Sequence, residues 1–196
     1  LQEKHLEGKR IGMELNYLTA DYYCELNRLL PQTELVPCSR IFDQVRAVKE
    51  MREIKILSRA GLRTVRAIEA AVSMTSVGDS ENDLAVRMIK NMFDGGAQSL
   101  EFMCLGSGLR SEMAHCSPDP SVALEDGSVI HLDFGGKFDH YTSDISRGIL
   151  IGRRNPKHED IYKRLTDCYV NGIEQLKPGV RACDIYHFTK AQFEKA

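Results

Sequence analysis

Two aspartates, Asp133 and Asp144, carry the clearest chemical signal in this sequence. They lie in the segment 128–152, whose alternating apolar and polar residues predict a β-hairpin. If the turn is centred between Phe138 and Asp139, the two aspartates face each other across the strands. Like charges in such positions destabilise a fold unless one carboxyl is protonated or a cation binds both. Two carboxylates that share a cation suit divalent Mn, Mg, Co or Zn.

The register of this hairpin decides the interpretation, because a slip by one residue would put the two aspartates on opposite faces. Gly135, Gly136 and Asp139 are expected to supply the turn. A second interpretation stays open on spacing alone. In that case Asp144 begins a turn, or pairs with Arg147 at the surface, and binds no metal.

The elements that must position this hairpin are grouped into helices, then strands, then helices. Such grouping is typical of an α+β domain with antiparallel strands. Ser39 and Ser80 are expected to cap helices, and Gly95-Gly96 to end one. The predicted strands are 10–14, 34–36, 99–105, 128–134 and about 141–151. The predicted helices are 21–30, one after Ser39, about 54–71, 81–94, 159–176 and one from about 182.

Composition and charge limit the class of protein. The chain has 196 residues, of which 42% are hydrophobic and 28% charged, which is typical of a globular fold. A net charge of -2 gives no reason to expect nucleic acid or a membrane as partner, and no run reaches the roughly 18 apolar residues of a spanning helix. Six scattered cysteines without a C-x-x-C pair favour reduced thiols and a cytoplasmic location. Both ends look cut, so we expect a piece of a longer protein.

Residues 106–152 resemble the aminopeptidase P, prolidase and creatinase family. The matching stretches are G-S-G-L-R-S at 106–111, A-H at 114–115, P-D at 118–119, L-E-D-G-S-V-I-H-L-D-F-G-G at 124–136 and Y-T-S-D-I-S-R at 141–147. The resemblance implies the first half of the catalytic domain of the pita-bread fold, at 41–196. Residues 1–40 resemble the tail of the preceding α/β N-terminal domain.

The resemblance also implies a site. In this family two divalent cations, commonly Mn with Co or Zn as alternatives, are held by two Asp, one His and two Glu. They activate a bridging water that attacks the substrate carbonyl. By match, Asp133 and Asp144 are the two Asp ligands, and the other ligands are expected beyond this chain. His115 matches a catalytic histidine that contacts the scissile region. A homodimer is implied for the intact protein.

The implied substrate is a peptide or a small amide, cleaved beside proline. Arg110 is a candidate for binding a substrate carboxylate, and an outward-facing arginine is the equally good alternative. His131 is expected to pack in the strand, and His140 to lie at the rim of the site. Two other functions stay open: C–N hydrolysis of a small molecule, as in creatinase or ectoine hydrolase, and a metal-free binding module. Creatinase relatives lack the aspartate pair, which counts against that alternative.

Overall fold

The computed structural model describes residues 8–195, in two compact units that meet in the sequence between Lys55 and Ile56. The first unit contains β1 (Arg10–Met13), α1 (Ala20–Leu29), β2 (Glu34–Pro37) and α2 (Ser39–Ala47). β1 and β2 pair in parallel, with Arg10 opposite Glu34 and Met13 opposite Pro37. The predicted β-α-β segment is therefore confirmed.

The predicted cap of α2 is wrong. Cys38 occupies the N-cap position and makes no side-chain cap bond, while Ser39 is already helical. A capping side chain must precede the helix in extended backbone, so the Ser39 hydroxyl cannot serve the free amides. That hydroxyl is instead buried without a hydrogen-bond partner among the described residues.

The second unit combines helices with an antiparallel sheet. Helix α3 (Met51–Ser73) begins in the first unit and continues into the second, which also contains a short 3₁₀ helix (Gly108–Glu112). Its other elements are α4 (Glu81–Asp94), β3 (Ser99–Ser107), β4 (Val129–Phe138), β5 (Tyr141–Thr142), β6 (Ile145–Leu150), α5 (Pro156–Glu174) and α6 (Ala182–Phe193).

Strand β4 lies in the middle of this sheet. Antiparallel β3 pairs with one side of it, and β5 and β6 follow one another along the other side. The predicted α+β class with antiparallel strands is confirmed. Of the helices in residues 8–195, none combines the length and apolarity that crossing a membrane requires.

One face of the sheet forms the core. Ile130, Leu132 and Phe134 alternate along β4 as buried residues, while the residues between them are only half-buried. Helices α3 and α4 cover this face with small and flexible side chains, which are Ala60, Ala67, Ile68, Ala71, Leu84, Ala85, Met88 and Met92. The opposite face, which carries Asp133, is thus left more open.

Helix α4 begins where the sequence predicts. Ser80 is the N-cap, its hydroxyl accepts from the Asp83 amide, and the Asp83 carboxylate accepts from the Ser80 amide, which is a complete capping box. The backbone just before it bonds to the segment that leads into β4, through Gly78 N to Leu124 O and Leu124 N to Asp79 O. The first turn of α4 is therefore held firmly against the sheet.

Candidate metal centre

The hairpin that carries the two aspartates turns one residue later than predicted. Phe138 pairs with Tyr141, and the turn consists of Asp139 and His140, both with positive φ. Positive φ at both central residues defines a type I′ turn, whose twist matches that of the flanking strands. Gly135 and Gly136 lie inside β4 rather than in the turn. The predicted direct pairing of Asp133 with Asp144 is wrong, because Asp133 pairs with Ser146.

In the observed register, each residue of β4 pairs with a residue two positions further along the second strand than predicted. A shift by two residues keeps both aspartates on the same face of the sheet. Extending the observed register, Asp144 falls opposite Gly135, two positions along β4 from Asp133. Diagonal neighbours of this kind have Cα atoms about 7–8 Å apart. Asp144 is exposed, as is Ser146, while Ser143 is buried and Ile145 packs against the core. The aspartates are diagonal neighbours on the open face.

A break in the second strand, at Ser143 and Asp144, separates β5 from β6. The Ser143 hydroxyl lies 2.7 Å from Thr64 Oγ1 of α3 and accepts from the Gly136 amide at 3.1 Å. Its carbonyl comes so close to β4 that a Cβ at Gly135 would lie 2.2 Å from it. Glycine is thus required opposite Asp144 because the two strands approach closely there.

A row of three side chains crosses the open face. β3 places Cys104 beside Asp133, and β6 places Ser146 on its other side. The Ser146 hydroxyl donates to Asp133 Oδ1 at 2.9 Å. Among the described residues, neither Asp133 nor Asp144 forms an ion pair with a lysine or arginine. Two carboxylates thus share one face without a cationic partner.

His115 reaches this row from a neighbouring loop. Its Nδ1 lies 3.9 Å from Cys104 Sγ, and Cys104 is the cross-strand neighbour of Asp133. The next residue fixes the loop, because the Leu105 amide donates to the Cys116 carbonyl at 2.7 Å. Gly106 permits this folding back, since a Cβ there would lie 2.7 Å from the Arg110 carbonyl oxygen. The exposed imidazole therefore lies beside the carboxylate row.

Arg110 is tied into the same loop. Its Nε lies 3.2 Å from Oε2 of the buried Glu81, and its Nη2 donates to the Ser117 carbonyl at 2.7 Å. Desolvation acts to lower the pKa of Arg110, but the hydrogen bond and charge of Glu81, together with the charges of Cys116 and Asp119, outweigh it and raise that pKa. Arg110 and His115 line an open depression of about 390 Å³, together with Cys116, Ser117, Pro118 and Asp119 among others.

The donor set on the open face fits divalent cations. Carboxylates without a cationic partner, one of them oriented by a serine hydroxyl, offer the hard oxygens that Mn and Mg prefer. Within residues 8–195, however, no group of three or more His, Cys, Asp or Glu side chains is arranged to hold a metal. The donors on this face are therefore enough for at most part of a coordination shell.

Sequence reasoning missed several residues around this site. Cys104 and Ser146 flank Asp133, which the cross-strand register shows and the sequence pattern does not. Glu81 is read from sequence as a helix-start acid, but Asp83 makes the cap and Glu81 is fully buried. His131 is half-buried in β4, and His140 is exposed at the hairpin turn.

Two unpaired carboxylates on one hairpin are part of the donor set that metal-dependent hydrolases use. The chain belongs to metallopeptidase family M24, whose model matches residues 55–196. Residues 1–48 match the creatinase/prolidase N-terminal domain. The fold is the N-terminal half of the pita-bread fold seen in solved members of this family.

Individual relatives agree with this membership. An uncharacterized peptidase of Bacillus subtilis is 32% identical over 173 residues, covering 88% of this chain and 49% of the relative. A Xaa-Pro dipeptidase of Pyrococcus horikoshii is 29% identical over 184 residues, covering 93% of this chain and 52% of the relative. The solved prolidase from P. horikoshii OT3 superposes with a TM-score of 0.87 at 28% identity, covering 98% of this chain and 55% of that one. The chain spans about half the length of these relatives.

Proposed function

We propose that the intact protein is a dinuclear metal-dependent hydrolase that cleaves peptide bonds next to proline. The observation that carries this proposal is the pair Asp133 and Asp144, which share the open face of the hairpin without a cationic partner. Membership of family M24 supports a peptidase. Similarity to a protein described as a Xaa-Pro dipeptidase supports the proline-linked substrate.

The two aspartates would hold the cations, and Ser146 would hold Asp133 in place. Its hydroxyl donates to Oδ1, which would restrain the carboxylate and leave its remaining lone pairs for a cation. When bound, the cations would supply positive charge that lowers the pKa of a water and polarises the substrate carbonyl. The remaining ligands would come from the part of the intact protein outside this chain.

His115 would act on the substrate beside these carboxylates. It is exposed, lies next to Cys104 in the row that contains Asp133, and borders the open depression. An imidazole there can donate a hydrogen bond to the scissile region or transfer a proton to the leaving nitrogen. Its place in a loop braced at Leu105 and Cys116 would limit the positions that the ring samples.

Arg110 would have a smaller part in binding substrate. Two of its guanidinium nitrogens, Nε and Nη2, already donate to Glu81 and Ser117. Only Nη1 is left without a partner among the described residues to meet a substrate carboxylate. We therefore expect Arg110 to contribute one hydrogen bond to the substrate rather than a bidentate pair.

Other features of the intact protein belong to the same proposal. We propose Mn as the metal, with Co or Zn as alternatives, because hard carboxylate oxygens dominate the donors on the open face. We also propose a homodimer in the cytoplasm. The domain division is proposed at residue 40, with 41–196 as the first half of the catalytic domain.

The test is hydrolysis of dipeptides and tripeptides containing proline by the intact protein with Mn. Asp144→Asn should reduce kcat/KM by more than about 100-fold, since losing even an outer partner of a metal ligand costs about 10–100-fold. Asp139→Asn is the matched control, because it removes the same charge from the same hairpin and asparagine tolerates the positive φ there. Equal activity of Asp144→Asn and the wild type, or activity of metal-free protein, would contradict the proposal.

A further inference from the structure

The most completely satisfied carboxylate among the described residues lies outside the proposed metal site. Glu81 is fully buried at the first turn of α4. Its Oε1 accepts from the Ser107 amide at 2.7 Å and from the Ser107 hydroxyl at 2.9 Å. Its Oε2 accepts from the Asp119 amide at 3.0 Å, and Arg110 Nε lies 3.3 and 3.2 Å from the two oxygens.

These partners mark the two ends of one loop. Ser107 ends β3, Arg110 lies in the 3₁₀ helix, and Asp119 begins the turn at Pro120 and Ser121 from which the chain returns toward β4. His115 lies between them. Among the described residues, its only hydrogen-bond contact with a helix or strand is the one to Cys104. The loop 107–119 is thus tied at both ends to a single buried side chain.

Glu81 itself is well anchored. The Glu81 amide donates to the Val122 carbonyl at 3.0 Å, and the capping box of Ser80 and Asp83 fixes the first turn of α4, which contains Glu81. The position of the carboxylate is therefore set by α4, whose buried face carries Glu81 at its start and continues into the core through Leu84, Ala85 and Met88. Movement of the loop relative to the sheet would break several bonds to Glu81 at once.

We infer that Glu81 is a positioning residue for His115, holding the loop 107–119 so that the imidazole stays beside Cys104 and the carboxylate row. This inference deepens the proposed function and rests on it for its effect on catalysis. A displacement of about 1 Å in a reacting group can cost roughly 100-fold in rate. Glu81 touches no substrate, so its influence on the chemical step passes through the loop that carries His115, while its contact with Arg110 affects only substrate binding.

The distinguishing variant is Glu81→Gln. Glutamine keeps the shape but turns one of the two acceptor oxygens into a donor nitrogen, which would then face donors. Asp79→Asn is the matched control: the Asp79 carboxylate also accepts from an arginine and a backbone amide, those of Arg87 and Ser76, but does not touch the loop. Ser107→Ala is the milder variant, since it removes only one donor to Glu81.

The first measurement is NMR of the histidine rings in the intact protein, with the His115 signal assigned by its absence in His115→Ala. Glu81→Gln should shift and broaden that signal and leave the other rings unchanged, and Ser107→Ala should shift it less in the same direction. Asp79→Asn should leave it in place. A His115 signal unmoved in Glu81→Gln would overturn the inference, whether or not the protein proves to be a peptidase.

The second measurement is a double-mutant cycle on hydrolysis of a proline peptide. Glu81→Gln should lower kcat by about 10–100-fold and change KM much less, with little change in metal content, because the transition-state contact of His115 is misplaced while Arg110 contributes only one hydrogen bond to the bound substrate. In the His115→Ala background the same change should cost less than about twofold. An equal loss in both backgrounds would mean that Glu81 acts on the fold alone. No hydrolysis by the wild type would instead refute the proposed function.

Discussion

Two groups of carboxylates in the same unit have opposite surroundings. Glu81 is fully buried and accepts from four donor groups of three residues. Asp133 and Asp144 lie on the open face of the hairpin, where the one hydrogen bond described comes from Ser146 to Asp133. The molecule therefore satisfies one carboxylate completely with its own groups and leaves two others with unused acceptor capacity.

This difference separates structural from functional charge. A buried carboxylate persists only if protein donors replace the water it has lost. Carboxylates placed near each other without a cationic partner repel and gain nothing for the fold, which is why we propose that Asp133 and Asp144 serve to bind a cation. Removing Glu81 should therefore harm stability, while removing Asp133 or Asp144 should harm binding and leave stability intact.

The largest effect on stability is expected for Glu81→Ala. It leaves the Ser107 and Asp119 amides and the Arg110 guanidinium without their acceptor in a buried place. Loss of one partner of a buried pair costs on the order of 3 kcal/mol in the free energy of unfolding. Urea unfolding measures this directly, and a loss no greater than that of an exposed carboxylate would remove the basis of the comparison.

A smaller loss is expected for Gly135→Ala, which tests how the hairpin aligns the aspartates. The added Cβ would lie 2.2 Å from the Ser143 carbonyl oxygen and 2.4 Å from Phe102 Cε1, so the strands must separate. Overpacking of this kind costs about 1–3 kcal/mol. Urea unfolding against Gly78→Ala, where positive φ adds strain but no atom lies within 4 Å, separates crowding from backbone strain. A smaller loss at Gly135 than at Gly78 would contradict the close approach.

The pH dependence of stability offers a third test, at the carboxylate of Asp79. Its pKa is lowered from 3.8, first by the hydrogen bond from Arg87 and then by the Ser76 amide. A lowered pKa in the folded state means that this contribution is present above pH 3.8 and disappears as the pH falls through the folded-state value. The stability difference between wild type and Asp79→Asn should thus shrink from about pH 6 to about pH 3. A stability difference between the two proteins that does not change with pH would contradict this contribution of the Asp79 carboxylate.

The smallest expected effect is that of Asp144→Asn on the stability of metal-free protein. The side chain is exposed and adds repulsion toward Asp133 without an ion pair among the described residues. The free energy of unfolding should therefore change by less than about 0.5 kcal/mol, or rise slightly. A loss as large as that of Glu81→Ala, measured in the same urea series, would mean that Asp144 serves the fold.

Much of the fold follows from local patterns in the sequence. The alternation along β4 predicts which side chains enter the core, and the residues Ser80 to Asp83 predict the start of α4. The register does not follow, because Gly135 and Gly136 resemble turn residues while close strand approach is what requires glycine at 135. The role of Glu81 is hidden for a similar reason. An acid in the first turn of a helix predicts a cap, and only the folded chain brings Ser107 and Asp119 to it.

The metal site is predictable only in part. The two aspartates and His115 stand out through motif resemblance, whereas Cys104 and Ser146 enter the row through strand pairing. Within residues 8–195 no larger cluster of potential ligands forms around them. For this reason we predict that calorimetric titration of Mn into the 196-residue chain shows no tight binding, since an open shell leaves the cation largely hydrated. Tight binding to this chain alone would contradict that prediction.

The central claim is that Asp133 and Asp144 are metal ligands, and Mn binding by the intact protein tests it most directly. Calorimetric titration should give about two Mn per wild-type chain. Asp139→Asn, which changes the same hairpin at its turn, should bind like the wild type. Asp144→Asn should lose at least one of the two sites. Equal binding by Asp144→Asn and wild type, or no binding by the wild type, would contradict the account.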